Sequence, residues 1–329
     1  MASIRDVAEK AGVAISTVSK VLNDYPNVSQ ETRQRVNRAI SELNFTPNSI
    51  ASALSSKRAG RVALLVNLNT RTQAVDEIDM QYLSGAIRTA QRRKLDVITI
   101  FFSMIKDLTL PELVNYFRAQ SIEGIIIFGM SRRDLLLHRL IGEQQFQIVA
   151  VDTPFVNERT SCVQIRHEEA QYEVARKTLR ENGGNRILYL AGRSDGYVTR
   201  ERLAGIQRLA REEGLELLVR FGQFSEKRAR ELTFRYGKEQ DIIVCASDLM
   251  AIGAMRALQE MDIFRPVCGF DGITLMGYAG KQMNTVKQDF YRIGSCAVEE
   301  MGRLLSGEAG REVRLDYEIV RMQYLDIIC

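Results

Sequence analysis

Apolar residues recur at helical spacing in three short stretches at the start of the chain. In the first, Ile4–Ala11, they stand at i, i+3, i+4 and i+7, which predicts one apolar stripe on a first helix. Ser3 and Asp6 have capping-box spacing at its start, and Gly12 permits the turn that ends it. Ser29 is the predicted cap of a third helix. The same spacing predicts core positions on the second and third helices at Val18, Val21, Leu22, Val36, Ala39, Ile40 and Leu43.

The predicted second helix turns a polar face outward. Four residues lie off its apolar stripe: Ser16, Thr17, Ser19 and Lys20. A helix-turn-helix with such an exposed face suits the major groove of DNA better than a protein core. The alternative is a small helical bundle whose polar faces are merely solvated. Three such helices make a unit of about 45 residues, below the size that is comfortably stable alone, so we expect support from a partner, DNA or dimerisation.

From Val62 onward, short apolar runs alternate with amphipathic stretches. The runs predict strands at Val62–Val66, Asp96–Phe102, Gly124–Phe128, Ile148–Val151, Cys162–Ile165, Ile187–Leu190, Glu216–Phe221, Ile242–Cys245 and Val267–Phe270. Helices are predicted between most of them, for example Ala86–Lys94, Glu168–Arg180 and Leu249–Met261. Apolar strands separated by helices are typical of parallel sheets covered on both faces, and nine strands are too many for one comfortable sheet. The sequence therefore predicts an α/β fold with two lobes.

A segment of small residues separates the two regions. Pro47 disfavours helical geometry at the residue before it and ends the bundle. The eight residues Ser49–Ser56 cannot hold an isolated helix in water, but they can fold when paired with a second copy and laid against DNA. The alternative is a flexible linker with Leu54 packed on the body. The predicted domains are a DNA-binding head at 1–46, a hinge at 47–60 and a two-lobed effector-binding and dimerisation domain at 61–329.

Charge is distributed unevenly along the 329 residues. Residues 1–60 carry eight Lys or Arg and five Asp or Glu, whereas the whole chain has a net charge of only +4. A basic head favours a polyanionic partner. The five cysteines form no C-x-x-C pair and the two histidines are isolated, which indicates reduced thiols and no metal site. No signal peptide or membrane-spanning run is evident, so we expect a cytoplasmic protein.

Several longer motifs are more specific than these patterns. IRDVAEKAGVAISTVSKVLN, VSQETRQRV and FTPNSIASAL resemble the head and hinge of the LacI/GalR family of bacterial repressors. The similarity continues in ILYLAG, TRERLAGI, ASDLMAIGAMRAL, GFDGI and TVKQDF. It implies a body like that of periplasmic binding proteins, with lobe 1 at about 61–157 and 290–317 and lobe 2 at about 158–289 and 318–329. The implied crossovers lie near Phe155–Ser161, Thr285–Asp289 and Tyr317–Ile319.

The resemblance also implies which residues meet DNA. Ile15, Ser16 and Lys20 would contact base edges, although a generic phosphate contact is the alternative for Lys20. Phosphate contacts are implied for Thr17, Ser19, Asn23, Ser29 and Thr32. Leu54 would be an apolar wedge between base steps of the minor groove. The implied DNA-binding set is completed by Ser3, Ile4, Asn48 and Ala51. Ala14 departs from the family, many of whose members have a serine that caps the second helix.

Effector residues are expected after the strands, because ligands of doubly wound sheets bind at the carboxyl ends of strands. The candidates are Asn69, Arg71, Arg202, Ser247, Asp248 and Asp271, and the resemblance places Arg202 where relatives hold a sugar hydroxyl. For each charged residue taken alone, a structural ion pair is the alternative. Leu68, Arg166-His167 and Gly272 depart from the common family pattern. Arginines near the cleft (Arg71, Arg166 and Arg193) would also admit a sugar phosphate.

No catalytic motif is present, neither a G-x-S-x-G elbow nor a G-x-x-x-x-G-K-[ST] loop. The leading prediction is a homodimeric repressor of sugar catabolism or uptake genes, without enzyme activity or cofactor. It binds a pseudo-palindromic operator, and a sugar or sugar phosphate controls its affinity for DNA. One alternative is a family regulator controlled by a protein co-effector or a non-sugar metabolite. Another is a cytosolic sugar-binding protein without a DNA function.

Overall fold

A computed structural model describes residues 2–22, 25, 27–43, 45, 61–67, 73–279 and 283–321. The chain divides into two compact units, Met1–Ala59 and Gly60–Cys329. The predicted hinge lies outside the described residues. Among the described residues, no helix combines the length and the apolar character needed to cross a bilayer.

The first unit packs three helices, α1 (Ile4–Ala11), α2 (Ile15–Leu22) and α3 (Gln30–Glu42). The predicted capping box is present, because Ser3 Oγ accepts a hydrogen bond from the Asp6 amide and Asp6 accepts one from the Ser3 amide. Gly12 ends α1 with a φ of 63°, in the left-handed region that glycine tolerates. The predicted stripes meet in one small core that includes Val7, Val18 and Val36.

The first sheet of the second unit contains six parallel strands in the order β11-β5-β4-β3-β1-β2. These strands are β1 (Arg61–Val66), β2 (Val97–Phe101), β3 (Ile122–Phe128), β4 (Gln147–Val151), β5 (Thr160–Ile165) and β11 (Glu312–Leu315). The helices of this part of the chain are α4 (Gln73–Arg92), α5 (Phe102–Ile105), α6 (Leu110–Ala119), α7 (Leu135–Glu143) and α12 (Phe290–Leu305). The sheet and its helices form the first lobe.

The second sheet has the order β12-β10-β9-β8-β6-β7, with only β12 antiparallel. Its strands are β6 (Arg186–Ala191), β7 (Glu216–Phe221), β8 (Ile242–Cys245), β9 (Val267–Cys268), β10 (Asn284–Lys287) and β12 (Glu318–Arg321). Helices α8 (His167–Asn182), α9 (Tyr197–Glu213), α10 (Glu226–Tyr236) and α11 (Asp248–Glu260) pack on it, with short 3-10 helices at Gly237–Glu239 and Thr274–Tyr278. This is the second lobe. Two sheets with helices confirm the predicted α/β fold.

The first crossover between the lobes is not where the sequence placed it. The expectation was Phe155–Ser161, but β5 pairs with β4 in the first sheet, with Ser161 opposite Val149. The chain therefore changes lobe between β5 and α8, at Arg166. Eight residues separate β4 from β5, fewer than parallel neighbours usually need. Extended, they still span about 26 Å, enough to return the chain to the start of β4. The other changes of lobe follow β10, at residues 288–289, and β11, at residues 316–317.

The sequence pattern missed three strands, β10, β11 and β12, since their polar residues hide any apolar run. The predicted helix at Ala86–Lys94 overlaps the last part of α4, which begins at Gln73 and ends at Arg92. Helices cover most of the strands, and both sheets are buried along β1, β3, β4, β6 and β8. The four described cysteines are buried free thiols, which agrees with the sequence prediction.

Candidate nucleic-acid surface and interlobe cleft

Helix α2 presents the predicted polar face at the surface of the first unit. Ile15 is 43% exposed although it is apolar, and Ser16 and Lys20 are exposed beside it. Thr17 and Ser19 are half-buried. The opposite side of α2 carries Val18 and Val21 into the core. An exposed branched apolar side chain next to a lysine and small hydroxyls matches the chemistry of base edges, which offer methyl groups and acceptors.

The hydroxyls predicted to meet phosphates have structural partners at the start of α3. Ser29 Oγ accepts a hydrogen bond from the Thr32 amide at 3.3 Å, and the two hydroxyls lie 2.9 Å apart. Ser29 is therefore the N-cap of α3. Ser3 is likewise the N-cap of α1. Ile4, the next residue, packs against the core of the head. Asn23, Asn48, Ala51 and Leu54 lie outside the described residues.

A cavity of about 330 Å³ lies between the two lobes of the second unit. The first lobe lines it with Asn67, Tyr82, Ser131 and Asp152, among others. The second lobe contributes Tyr197, Arg202, Ser247, Asp271 and Gln288, among others. The volume lies at the low end of the range for small-molecule pockets, and the mixture of rings and convergent polar groups is typical of them.

Arg202 on α9 is the centre of the cavity's polar network. Its side chain is buried, and Nη1 donates to the Ala246 carbonyl at 2.6 Å and to Asp271 Oδ1 at 3.3 Å. The guanidinium carbon lies 3.6 Å from the centroid of the Phe270 ring, a cation–π contact. Nε donates to His167 Nδ1 at 3.4 Å. These partners hold the guanidinium in one place at the cavity wall.

Asp271 lies beside Arg202 at the cavity wall, and its backbone conformation is strained. Its φ of 122° is uncommon for a residue with a side chain. Gln288 Nε2 donates to the same Oδ1 that Arg202 contacts, at 3.1 Å. Burial raises the pKa of the Asp271 carboxyl, and the Arg202 guanidinium opposes that rise. The predicted pair of Arg202 and Asp271 is thus brought together at the cavity.

The predicted effector residue Asp248 does not line the cavity. Its Oδ2 accepts hydrogen bonds from the amides of Gly272 (2.7 Å) and Ile273 (2.9 Å), and its Oδ1 accepts one from Thr285 Oγ1 at 2.5 Å. The side chain is fully buried. Asp248 therefore holds the loop after β9 and does not face the effector cavity as the sequence predicted. Ser247, the N-cap of α11, does line the cavity. Asn69 and Arg71 lie outside the described residues.

Asp152 is a cavity-wall residue that the sequence pattern did not indicate, and it joins the two lobes. Asp152 follows β4 of the first lobe, and its Oδ1 lies 2.9 Å from Nε2 of His167, the first residue of α8 in the second lobe. Tyr82 donates to the other carboxylate oxygen at 3.3 Å. Asp152 has a φ of 57°, so it is also strained. The rule that selected Asp271, a polar residue directly after a buried strand, applies equally to Asp152.

Two of the three arginines expected to receive a phosphate already have carboxylate partners, and the third, Arg71, lies outside the described residues. Arg193 lines the cavity, but its Nε and Nη2 donate to Asp195 at 3.0 and 2.8 Å. Arg166 pairs with Glu169 at 3.1 Å and does not line the cavity. A phosphate would have to displace these carboxylates. The structure therefore gives the sugar-phosphate prediction little support among the described residues.

The lobes also touch at two edges of the cleft. At one edge, Ser131 forms a β-bridge with Gly196, and the Arg132 amide donates to the Asp195 carbonyl at 2.9 Å. At the other edge, Glu77 of α4 accepts hydrogen bonds from the amide and the hydroxyl of Thr274, at 3.1 and 2.6 Å. A ligand that fills the cavity contacts both lobes and is placed to change how these edges meet.

Comparison with known proteins agrees with this organisation. Residues 3–48 match the model of bacterial regulatory proteins of the lacI family, and residues 177–321 match a periplasmic binding protein-like domain. The transcriptional regulator CelR of Thermobifida fusca is 30% identical over 95% of this chain and 94% of its own. The repressor PurR of Aliivibrio fischeri is 27% identical over 91% of this chain and 90% of its own.

Solved structures show the same fold along nearly the whole chain. The Lac repressor bound to ONPG superposes with a TM-score of 0.82 at 24% identity, covering 97% of this chain and 98% of that one. A complex of CelR with cellobiose gives a TM-score of 0.71 at 25% identity, covering 98% of this chain and all of that one. With the helix-turn-helix head, the two-lobed body and these matches in place, the chain belongs to the LacI family of bacterial regulatory proteins and is a DNA-binding transcriptional regulator with an effector-binding domain.

Proposed function

We propose that this regulator is a repressor that binds a pseudo-palindromic operator as a homodimer, and that a small polyhydroxylated effector in the interlobe cleft controls its affinity for DNA. The observation that carries the proposal is the pairing of two surfaces in one chain. One is the exposed face of α2, and the other is a cavity whose walls come from both lobes. Control of DNA binding by a metabolite requires two distinct sites, one for DNA and one for the metabolite.

On the DNA side, the proposal assigns base contacts to Ile15, Ser16 and Lys20. A lysine ammonium can donate to guanine O6 and N7, and the isoleucine can pack on a thymine methyl. Hydroxyls at the start of α3 and the small residues of α2 are proposed to fix the register on phosphates. The proposal keeps Leu54 of the hinge as a minor-groove wedge, which is an inference from family resemblance alone.

On the effector side, the convergent Arg202, Asp271 and Asp152 support a ligand with several hydroxyls, because a hydroxyl both donates and accepts. Rings of Tyr82 and Tyr197 in the wall offer apolar surface to the faces of such a ligand. The complex of the relative CelR with cellobiose supports a carbohydrate. An effector that binds one arrangement of the lobes more tightly shifts the population toward it.

The test begins with selection of duplexes from a random pool by the full-length protein. Fluorescence anisotropy then compares the selected duplex with a scrambled one at moderate salt, and ultracentrifugation gives the number of chains per duplex. We expect a dyad-symmetric sequence, two chains per duplex and a preference of about 1,000-fold or more over scrambled DNA. A panel of sugars is then added to the complex, and at least one should change the affinity. No preference for any dyad, with or without the sugars, would refute the proposed function.

A further inference from the structure

We propose that the effector carries a protonated amine in addition to its hydroxyls, as an amino sugar does, and that Asp152 receives the ammonium group. This inference rests on the proposed function and names the ligand class of the same cleft. It is drawn from the balance of charge and of hydrogen-bond donors around the cavity.

Negative groups outnumber positive ones where the two lobes meet. Three carboxyls line the cavity, those of Asp79, Asp152 and Asp271, and Asp248, the first residue of α11, lies directly behind Asp271. One guanidinium, that of Arg202, stands among the last three of these carboxyls, with its hydrogen bond on Asp271. The other arginine of the described cavity wall, Arg193, is held by Asp195. The cluster therefore lacks cationic charge.

His167 does not supply that charge. Arg202 Nε is a donor only, so the His167 Nδ1 atom that faces it must accept. The ring proton is then on Nε2 and is donated to Asp152, which makes the imidazole neutral. Complete burial lowers the pKa of His167, in agreement with this tautomer. Both groups that donate to Asp152, the imidazole and the Tyr82 hydroxyl, are thus uncharged.

Burial is the main cause that disfavours the charged forms of the acids near the cavity, and neighbouring carboxylates add to it for Asp271 and Glu201. Burial raises the pKa of Asp248, and burial together with the nearby Asp248 and Asp152 carboxylates raises the pKa of Asp271. The pKa of Glu201, one turn into α9, is raised to about 7 by burial and by Asp152. A cationic ligand would relieve the repulsion that all these carboxyls share.

A buried acceptor and several rings point the same way. Gln288 lines the cavity and is only 5% exposed, and its Nε2 is committed to Asp271. Its Oε1 is buried and has no hydrogen-bond partner in the described part of the chain. An ammonium supplies the donors that such an acceptor needs. The rings of Tyr82, Tyr197, Phe224 and Phe290 in the wall add faces that attract a cation.

The experiment measures ligand binding to the full-length protein by titration calorimetry, at a pH at which sugar amines are protonated. Glucosamine, galactosamine and mannosamine are each compared with the hexose that has a hydroxyl in place of the amine, and with their own N-acetyl derivative, which has a neutral amide. We expect at least one amine to bind about tenfold or more tightly than both its hydroxyl and its amide counterparts.

Two variants assign that preference to a residue. Asp152→Asn should remove the preference for the amine, so that an amine and its matching hexose bind the variant with affinities within about twofold of each other. Asp241→Asn removes a carboxylate at the opposite, amino end of β8, where it binds Arg186, and should keep the preference. Thermal unfolding without ligand checks that both variants are folded. If Asp152→Asn fails to fold, Tyr82→Phe, which removes only a neutral donor to Asp152, should retain the preference.

Equal affinity for the amine and its counterparts, or an amine preference that survives Asp152→Asn, would overturn the inference. So would the absence of binding by every amine. The operator assay separates this failure from that of the proposed function. If the protein prefers a dyad-symmetric duplex and a neutral sugar changes its affinity for that duplex, the proposed function stands. Only the inference that the effector carries an amine is then refuted.

Discussion

The Nε2 atom of His167 lies 2.9 Å from Oδ1 of Asp152, and this hydrogen bond joins the first residue of α8 to the loop after β4. One partner belongs to each lobe, and the imidazole also stacks on Phe270, with ring centroids 5.8 Å apart. The same histidine accepts from Arg202. A single buried ring thus ties the wall of the cleft to the junction between the lobes.

Substitution of that ring should destabilise the body. His167→Ala leaves Asp152 with one donor fewer and opens space against Phe270, so we expect the free energy of unfolding to fall by about 2–4 kcal/mol. Urea denaturation followed by circular dichroism measures it. His138→Ala is the control, because this half-buried histidine also contacts the second lobe, through the Tyr197 hydroxyl at 3.0 Å, and its loss should cost less. Equal losses in the two variants would show that burial gives the His167 contact no special weight.

Arg202→Ala should damage the fold as well as the response to effector. It removes the buried guanidinium and leaves the Asp271 and Asp248 carboxyls without it, which in buried ion pairs costs about 3–5 kcal/mol. Arg208→Ala, on the same helix but paired with the partly exposed Glu168, should cost under about 1 kcal/mol. Chemical denaturation compares the two. A stable Arg202→Ala protein would contradict the structural part assigned to this residue.

Lys20 should contribute to sequence preference. Lys20→Ala is expected to weaken binding to the selected operator by about 1–3 kcal/mol and to relax specificity at one position. Lys10→Ala is the control, because Lys10 pairs with Glu42 at 2.9 Å and lies on α1. Anisotropy against a set of single-base operator variants gives the result. A uniform loss across all sequences, with a smaller salt dependence, would instead make Lys20 a phosphate contact.

Ser29 permits a separation of capping from phosphate contact. Ser29→Ala should lower the stability of the head by about 1 kcal/mol, since α3 loses its N-cap. Ser29→Asp keeps a capping oxygen and so should retain that stability, yet its charge should repel a nearby phosphate and weaken DNA binding. Thermal unfolding and anisotropy are measured on both. Normal DNA binding by Ser29→Asp would mean that no phosphate approaches this position.

The raised pKa of Glu201, about 7 instead of 4.5, predicts a pH effect of defined sign. Between those values the folded protein binds more protons than the unfolded chain, so this group makes the free energy of unfolding fall as pH rises from about 4.5 to 7. Glu201→Gln should therefore stabilise the protein at pH 8 relative to pH 5, by about 1–2 kcal/mol after allowance for partial burial. Denaturation at both pH values tests it. A pH-independent difference would contradict the assignment.

Helix caps, turns and buried strands could be predicted from the sequence, because each depends on residues that are close together in the chain. The caps at Ser3 and Ser29 and the turn at Gly12 involve residues within a few positions, and the structure has all of them. The apolar runs predicted the buried strands for the same reason. The sheet to which a strand belongs depends on contacts that are distant in the chain. The prediction for β5 was wrong about its lobe, because its apolar run would look the same in either sheet.

The cleft was only partly predictable. The rule that ligand-binding residues follow a strand correctly selected Asp271. The same rule also selected Asp248, but its carboxylate accepts hydrogen bonds from the amides of Gly272 and Ile273. These hydrogen bonds form only because a loop 24 residues later in the chain folds back onto Asp248, and the spacing of residues in the sequence does not reveal this. His167 looks isolated in the sequence because its partner Asp152 belongs to the other lobe. Tertiary neighbours decide such cases.

The last strands of both sheets, β11 and β12, come from one short stretch at 312–321. During synthesis on the ribosome, neither lobe can complete its sheet until this stretch has emerged. Until then β5 and β10 present open edges, to which strands of other nascent chains can add. Expression of this regulator is therefore expected to be sensitive to premature termination and to depend on chaperones that shield those edges.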